Sequence, residues 1–224
     1  MYTETKEFGF YRFDELPEDL QEKVIEKRRY WNVDDSFWYE HLLEYWKEDL
    51  EKMGFEDAEI RFSGFWSQGD GASFTARCDN QKVLNTLFLC NEKNIADLKQ
   101  WRLWFELVEN GPYINFDIKR NYSRYVHEFS VEGVVDEDFS GFTNKIYEGL
   151  NEKGQKYYTS KFDQKVNWEY LKDMFNEFVR DICREIYSSL EKEYEYFTSD
   201  SYLKEWLKES DEEFEVNMET MELI

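Results

Sequence analysis

Apolar positions along this chain alternate between helical and strand periods, and the changes of period mark its elements. Asp14-Glu15-Leu16-Pro17 opens a helix, with Glu18 and Asp19 at the positive end of its dipole. Leu16, Leu20, Val24 and Ile25 mark its apolar face as far as Tyr30 and Trp31. A second helix is predicted from about Asp34-Asp35-Ser36, with Trp38, Leu42, Tyr45, Trp46, Leu50 and Met53 on one side and Gly54 as its C-cap. Glu40, Glu44, Glu48 and Glu51 line the opposite side. The two form an expected αα-hairpin, packed on a sheet through its aromatic side chains.

The period then shortens to that of strands. Residues Ile60 to Cys78 (IRFSGFWSQGDGASFTARC) predict a β-hairpin. Ile60, Phe62 and, with a slip, Phe65 and Trp66 supply the first strand, and Phe74 to Cys78 the second. Between them, Ser67-Gln68-Gly69-Asp70-Gly71 is a turn rich in residues that tolerate positive φ. Helices are expected at 80–89 and 95–108, the latter ended by Gly111-Pro112, and strands at 113–119 and 125–135 around the turn Arg120-Asn121-Tyr122-Ser123. Residues 136–165 look like an extended connection.

From Val166 to Tyr194 there is no Gly or Pro, and Leu171, Met174, Phe175, Phe178, Ile182, Ile186 and Leu190 recur at spacings of three and four. Such a helix spans about 40 Å, enough to cover a sheet. A short helix around Trp206 and an edge strand at 211–216 complete the pattern. The prediction is an α+β fold in one domain, 1–224: a roughly four-stranded, mainly antiparallel sheet covered by the N-terminal helical hairpin and the long C-terminal helix. An acidic segment occupies about 198–224.

Charge alters this picture more than composition does. The formal net charge is -22, from 50 acidic against 28 basic residues. Residues 14–59 hold 16 acids and 6 bases, residues 60–184 hold 19 and 17, and residues 185–224 hold 13 and 3. The excess sits at the two ends. Such a field repels nucleic acid and attracts a basic partner over roughly a Debye length. The start, MYTETKEFGF, lacks the basic-then-apolar pattern of a signal peptide, and no apolar run approaches the roughly 18 residues of a membrane span. A cytoplasmic location follows as the expectation. Cys78, Cys90 and Cys183 are widely spaced with no CxxC pair, so they are expected to be small buried side chains rather than a disulfide or zinc framework.

Candidate chemistry is sparse. His41 lies on a predicted helix and His127 on a predicted strand, far apart. No GxSxG, HExxH, Walker or GxGxxG pattern occurs, and acid pairs are too common here for a two-carboxylate site to stand out. Asp70 in the Gly69-Asp70-Gly71 turn can ligate calcium in principle, but the spacing of an EF-hand loop is absent. Lys119, Arg120 and Arg124 beside Tyr122 and Tyr125 form a small basic group, read as a solvated hairpin tip. No cofactor is implied.

The run FSGFWSQGDGASF, the late run LEKEYEYFTSDSYLKEWLKESDEEFE and the early DELPEDLQEKVIEKRRYW together resemble a family of phage and prophage proteins. In that family an FSGFxSQGDGA(S/C)F hairpin precedes a helix ending LExEYEYxTSD and an acidic tail. Its members are often labelled antitoxins of toxin–antitoxin systems. This chain departs from the pattern in having Trp66 and Ser73 where many relatives have a small residue and Cys, and in its divergent central region.

The resemblance and the charge together imply a non-enzymatic, phage-encoded protein in the bacterial host cell. Its expected role is to bind and inhibit a basic defence effector, such as a nuclease or CRISPR nucleoprotein, by imitating nucleic acid. The partner-binding residues so implied are Glu40, Glu44, Glu48 and Glu51 on the second helix, Asp211, Glu212, Glu213 and Glu215 in the tail, and Ser67, Gln68 and Asp70 in the turn. Direct binding to nucleic acid or to membrane is not expected. Two alternatives stand beside this reading: an antitoxin masking a basic toxin, and an enzyme with a pocket at the SQGDG turn in which Asp70 acts as acid, base or ligand.

Overall fold

The structure, a computed structural model, describes residues 8–91, 98–110, 113–121, 124–137, 165–217 and 222–223. The chain divides into two compact units, one of residues 1–41 and 190–224 and the other of residues 42–189.

In the first unit, strand β1 (Phe8–Arg12) leads through a 3-10 turn to helix α1 (Glu18–Arg28), which is N-capped by Pro17 and carries Glu18 and Asp19 in its first turn and Lys27 and Arg28 in its last. Each charge complements the helix dipole. Helix α6 (Asp200–Glu209) is capped by Ser199, whose hydroxyl accepts a hydrogen bond from the Tyr202 N–H at 3.3 Å. Strands β6 (Glu213–Asn217) and β7 (Glu222–Leu223) follow, in the antiparallel order β1-β6-β7. Phe13, Leu16, Leu20, Val24 and Ile25 pack with Leu203, Leu207, Phe214 and Val216 as one core. The acidic end is therefore built into the fold. Its strand lies in the middle of the sheet, not at the edge, because Phe214 and Val216 point into the core and β1 and β7 pair on either side. The aromatic run FGFY of β1, not predicted as a strand, supplies the missing partner. Helix α1 packs on α6.

Helix α2 (Phe37–Met53) has residues in both units, as has helix α5 (Trp168–Phe197). In the second unit β2 (Phe55–Phe62) and β3 (Ala72–Cys78) form the predicted hairpin, with Ile60 opposite Phe74 and Phe62 opposite Ala72. The first strand begins at Phe55, earlier than predicted, and ends before Phe65 and Trp66, which belong to the loop. Helices α3 (Asn80–Cys90) and α4 (Leu98–Asn110) follow, the former capped by the Asp79 carboxylate on the Gln81 and Lys82 N–H groups. Strands β4 (Ile114–Arg120) and β5 (Val131–Glu137) pair antiparallel.

The two hairpins remain separate two-stranded sheets, which corrects the expectation of one four-stranded sheet. Strand β3 lies beside β4, but the Phe116 N–H of β4 is taken by the Asn80 side chain at 2.9 Å rather than by a neighbouring strand. The predicted strand 125–135 ladders only from Val131, because Glu128–Ser130 form a 3-10 turn capped by His127. Residues 95–97, 111–112, 122–123 and most of the expected connection, 138–164, lie outside the described residues.

An aromatic cluster fastens this unit. The Phe55 ring lies 5.3 Å from Phe74 edge-on and 6.4 Å from Phe175, which meets Phe116 at 4.8 Å. Edge contacts of this kind add to the burial of large apolar area. Gly133 admits α5 closely: a Cβ there would lie 3.0 Å from the Asn176 Cα. Its N–H donates to Asn176 Oδ1 at 3.1 Å. Gly54, between α2 and β2, has φ of +100°, and a Cβ there would lie 2.7 Å from Lys82 Cβ and 2.8 Å from the Val83 nitrogen. Both strain and collision oppose any side chain. Gly54→Ala is expected to lower unfolding stability by about 2 kcal/mol or more in urea titration.

Candidate functional site

Three regions carry the residues singled out in the sequence. On α2, Glu40, Glu44, Glu48 and Glu51 are all exposed. Helical spacing of four, four and three residues places them in one stripe, as expected. Glu40 accepts a hydrogen bond from the Ser36 hydroxyl at the start of the helix. Glu44, Glu48 and Glu51 have no ion pair among the described residues. Asp49 is the exception on this helix: its bond to Lys52 at 2.7 Å holds its carboxyl below the usual range and raises the Lys52 ammonium. Glu48 and Glu51 also border an open depression of about 410 Å³ with Lys47, Glu56, Asp57, Ala58 and Arg77. Arg77 already holds Glu56 at 2.8 Å and Asp57 at 3.2 Å there. The stripe itself makes no close ion pair among the described residues, although Lys52 feels Glu48 and Lys47 stands at helical spacing from Glu44 and Glu51.

The tail carboxylates are used differently. Asp211 pairs with Arg12 at 3.3 Å, and Glu212 pairs with Arg28, whose guanidinium lies 3.6 Å from the Trp31 ring centroid. Glu212 so fastens α1 to the segment before β6, whereas the Arg12–Asp211 pair is open to solvent. Glu213 and Glu215 lie on the outer face of β6, opposite Arg12 and Phe10 of β1, while Phe214 and Val216 face the core. The structure thus does not gather the tail into a free acidic surface.

The SQGDG turn is a locked loop. Asp70 Oδ2 accepts hydrogen bonds from the N–H groups of Trp66 (3.0 Å) and Ser67 (2.6 Å), while the Asp70 N–H donates to the Ser67 carbonyl at 3.0 Å. Gly69 sits at φ +99°, where a Cβ would lie 2.9 Å from the Tyr125 ring, and a Cβ on Gly71 would lie 2.6 Å from that of His127. The Ser63 hydroxyl donates to the Val126 carbonyl at 3.2 Å, and the Tyr187 hydroxyl to the Gly64 carbonyl at 3.1 Å. The glycines are needed here for close approach. Ser67 and Gln68 are exposed at the tip beside Trp66, which is 79% exposed.

Beside this loop stands a ladder that the sequence reading passed over. Tyr125 stacks on His127 at 6.3 Å and His127 meets Phe129 edge-on at 5.8 Å, with Arg124 over Tyr125 and Arg180 over Phe129. Its only signal in the sequence is the spacing of two between the three rings, which strand alternation produces equally well. His127 Nδ1 accepts the Phe129 N–H at 3.0 Å, so the histidine serves the 3-10 turn. His41, the other histidine, lies 3.4 Å from Glu193.

Of the cysteines, Cys183 is buried and Cys78 half-buried, and burial pushes both thiols up to about 12. Cys90 is exposed at the last position of α3, contrary to expectation. It borders a cavity of about 330 Å³ with Leu87, Asn91, Tyr170, Met174 and Phe178. Among the described residues no cluster of His, Cys, Asp and Glu is placed to hold a metal ion, and no helix is long and apolar enough to cross a membrane.

Residues 38–200 match the model of a family described as a domain of unknown function, DUF8835. The chain belongs to the DUF8835 family. The matched span holds nearly all of α2, the SQGDG hairpin, β4, β5 and α5, so the acidic stripe and the locked loop are both features of the family region. Strands β1, β6 and β7 and helix α1 lie outside it. No curated protein and no solved structure matches the chain.

Because Asp70 holds two backbone N–H groups, Asp70→Ala is expected to lower stability by about 1–3 kcal/mol, whereas Asp70→Asn, which keeps an acceptor, costs less. Chemical denaturation of the two variants checks the order.

Proposed function

We propose that this DUF8835 protein is a phage-encoded inhibitor that binds a basic bacterial defence effector through the acidic stripe of α2. The observation that carries the reading is that Glu44, Glu48 and Glu51 are exposed on a single helix with no ion pair among the described residues. At spacings of three and four, such carboxylates repel one another by roughly 0.2–0.5 kcal/mol per pair, which Lys47 and Lys52 at the same spacings offset in part. Three exposed carboxylates in one stripe that no close ion pair among the described residues engages support a role outside the fold. A rigid row of negative charge suits the positively lined channel of a nuclease or CRISPR effector, where it would speed encounter and oppose nucleic-acid entry. Phage origin rests on the sequence resemblance set out above.

In this reading Glu40 extends the stripe, Ser67, Gln68 and Trp66 at the loop tip contribute a shape-specific contact, and Glu213 and Glu215 are secondary. Asp211 and Glu212 act within the fold. The enzyme alternative draws no support from Asp70, whose carboxylate is engaged by the loop backbone.

The chain is to be expressed in bacterial strains that each carry one defined DNA-targeting effector, and phage plating measured. Plating should rise in one of these strains, and Glu44→Gln, Glu48→Gln and Glu51→Gln together should remove at least about tenfold of that gain. Purified chain and effector should associate more weakly as salt rises from about 0.1 to about 0.5 M. No protection in any strain, or full protection by the triple variant, contradicts the proposal. Rescue from a small basic toxin instead would favour the antitoxin role.

A further inference from the structure

The three-stranded sheet of the first unit ends differently on its two sides. On one side β7 has two residues among those described, a length that discourages pairing. On the other, β1 is a five-residue strand with the sequence FGFYR. It contains no proline and no acidic residue, and the β1–β6 register runs without a break. Of the devices by which proteins blunt an edge strand, the described residues of β1 carry a short length and the single charge of Arg12.

Its outward side chains point the same way. Tyr11 faces Phe214 and the core, so Phe8, Phe10 and Arg12 lie on the opposite face of the sheet. Phe8 is 45% exposed and Phe10 is 63% exposed. Large aromatics on a sheet face are normally covered by cross-strand neighbours. Here the neighbour of Phe10 within the sheet is Glu215.

From this edge we propose that β1 pairs antiparallel with β1 of a second copy of the chain, about a two-fold axis through Phe10, to make one continuous six-stranded sheet. The strand is self-complementary in that register. Phe10 meets its own counterpart, and each Phe8 lies opposite the other copy's Arg12, an aromatic–aromatic pair flanked by two cation–π pairs. All six side chains fall on one face, because the paired positions have the same parity along the strand. Such an interface is isologous and closes at two copies. The present partner of Arg12, Asp211, is 92% exposed, and an exposed ion pair of this kind contributes little, so Arg12 is readily redirected. A second copy suits the site because it brings an exposed Arg12 to each exposed Phe8 and a Phe10 to the exposed Phe10. With -22 charges on each copy, long-range repulsion opposes the contact and salt relieves it. This salt dependence has the opposite sign to that of the acidic stripe, so either idea can fail without the other.

The test is analytical ultracentrifugation of the full chain at low salt and at about 0.5 M salt. A species of twice the 27.5 kDa chain mass should appear and grow with salt. Phe10→Lys, which places like charges together on the axis at a surface position, should return it to monomer with unchanged circular dichroism. Glu215→Gln, on the same face of the central strand, should leave the dimer intact. In a Cys90→Ser background, Phe10→Cys should form an intermolecular disulfide under mild oxidation. A monomer under all conditions, a dimer that dissociates as salt rises, or a dimer that survives Phe10→Lys would each overturn the proposal.

Discussion

Self-repulsion is the constraint under which this chain folds. With 50 acidic and 28 basic residues, it cannot neutralise its carboxylates by pairing, so cohesion has to come from apolar burial. Each unit meets this with a dense core: Phe55, Phe74, Phe116 and Phe175 in one, and Phe13, Leu20, Leu203 and Phe214 in the other. The scarce arginines are placed where an ion pair also fastens chain segments. Arg28 joins α1 to the chain end through Glu212, Arg29 reaches Asp200 at 2.8 Å, and Arg77 joins β3 to β2 through Glu56. Carboxylates left over are those that the fold does not use.

That division separates the acidic residues into two kinds. Asp70, Asp79 and Glu212 hold backbone amides or a guanidinium group, and the local structure depends on them. Glu44, Glu48 and Glu51 make no close ion pair among the described residues, and they share one side of one helix. The functional proposal rests on this contrast rather than on net charge, which any acidic surface would share. It also moves weight from the tail, prominent by composition, to α2.

Much of the fold was legible in the sequence because its signals are local. Helix α5 announces itself through a 3.6-residue period uninterrupted by Gly or Pro, Gly54 marks the end of α2 by its positive φ, and the SQGDG turn names itself through residues that tolerate such angles. What the sequence concealed depends on partners distant along the chain. The strand at Glu213–Asn217 is central only because Phe8–Arg12 pairs with it, a contact across some two hundred residues with no local trace. Likewise, the two hairpins stay separate because the Asn80 side chain takes the Phe116 N–H. At the candidate site the α2 stripe was legible from spacing alone, whereas the engagement of Asp211 and Glu212 and the Tyr125–His127–Phe129 ladder required the tertiary arrangement.

If the α2 carboxylates serve something other than the fold, neutralising them should leave the fold intact. Urea unfolding of the chain should be compared with that of the variant carrying Glu44→Gln, Glu48→Gln and Glu51→Gln. Relief of repulsion along the helix predicts that the variant is as stable or more stable, by up to about 1 kcal/mol at low salt, with the gain shrinking as salt is added. A variant destabilised by about 1 kcal/mol or more would mean that these carboxylates hold the fold together, and would contradict the account.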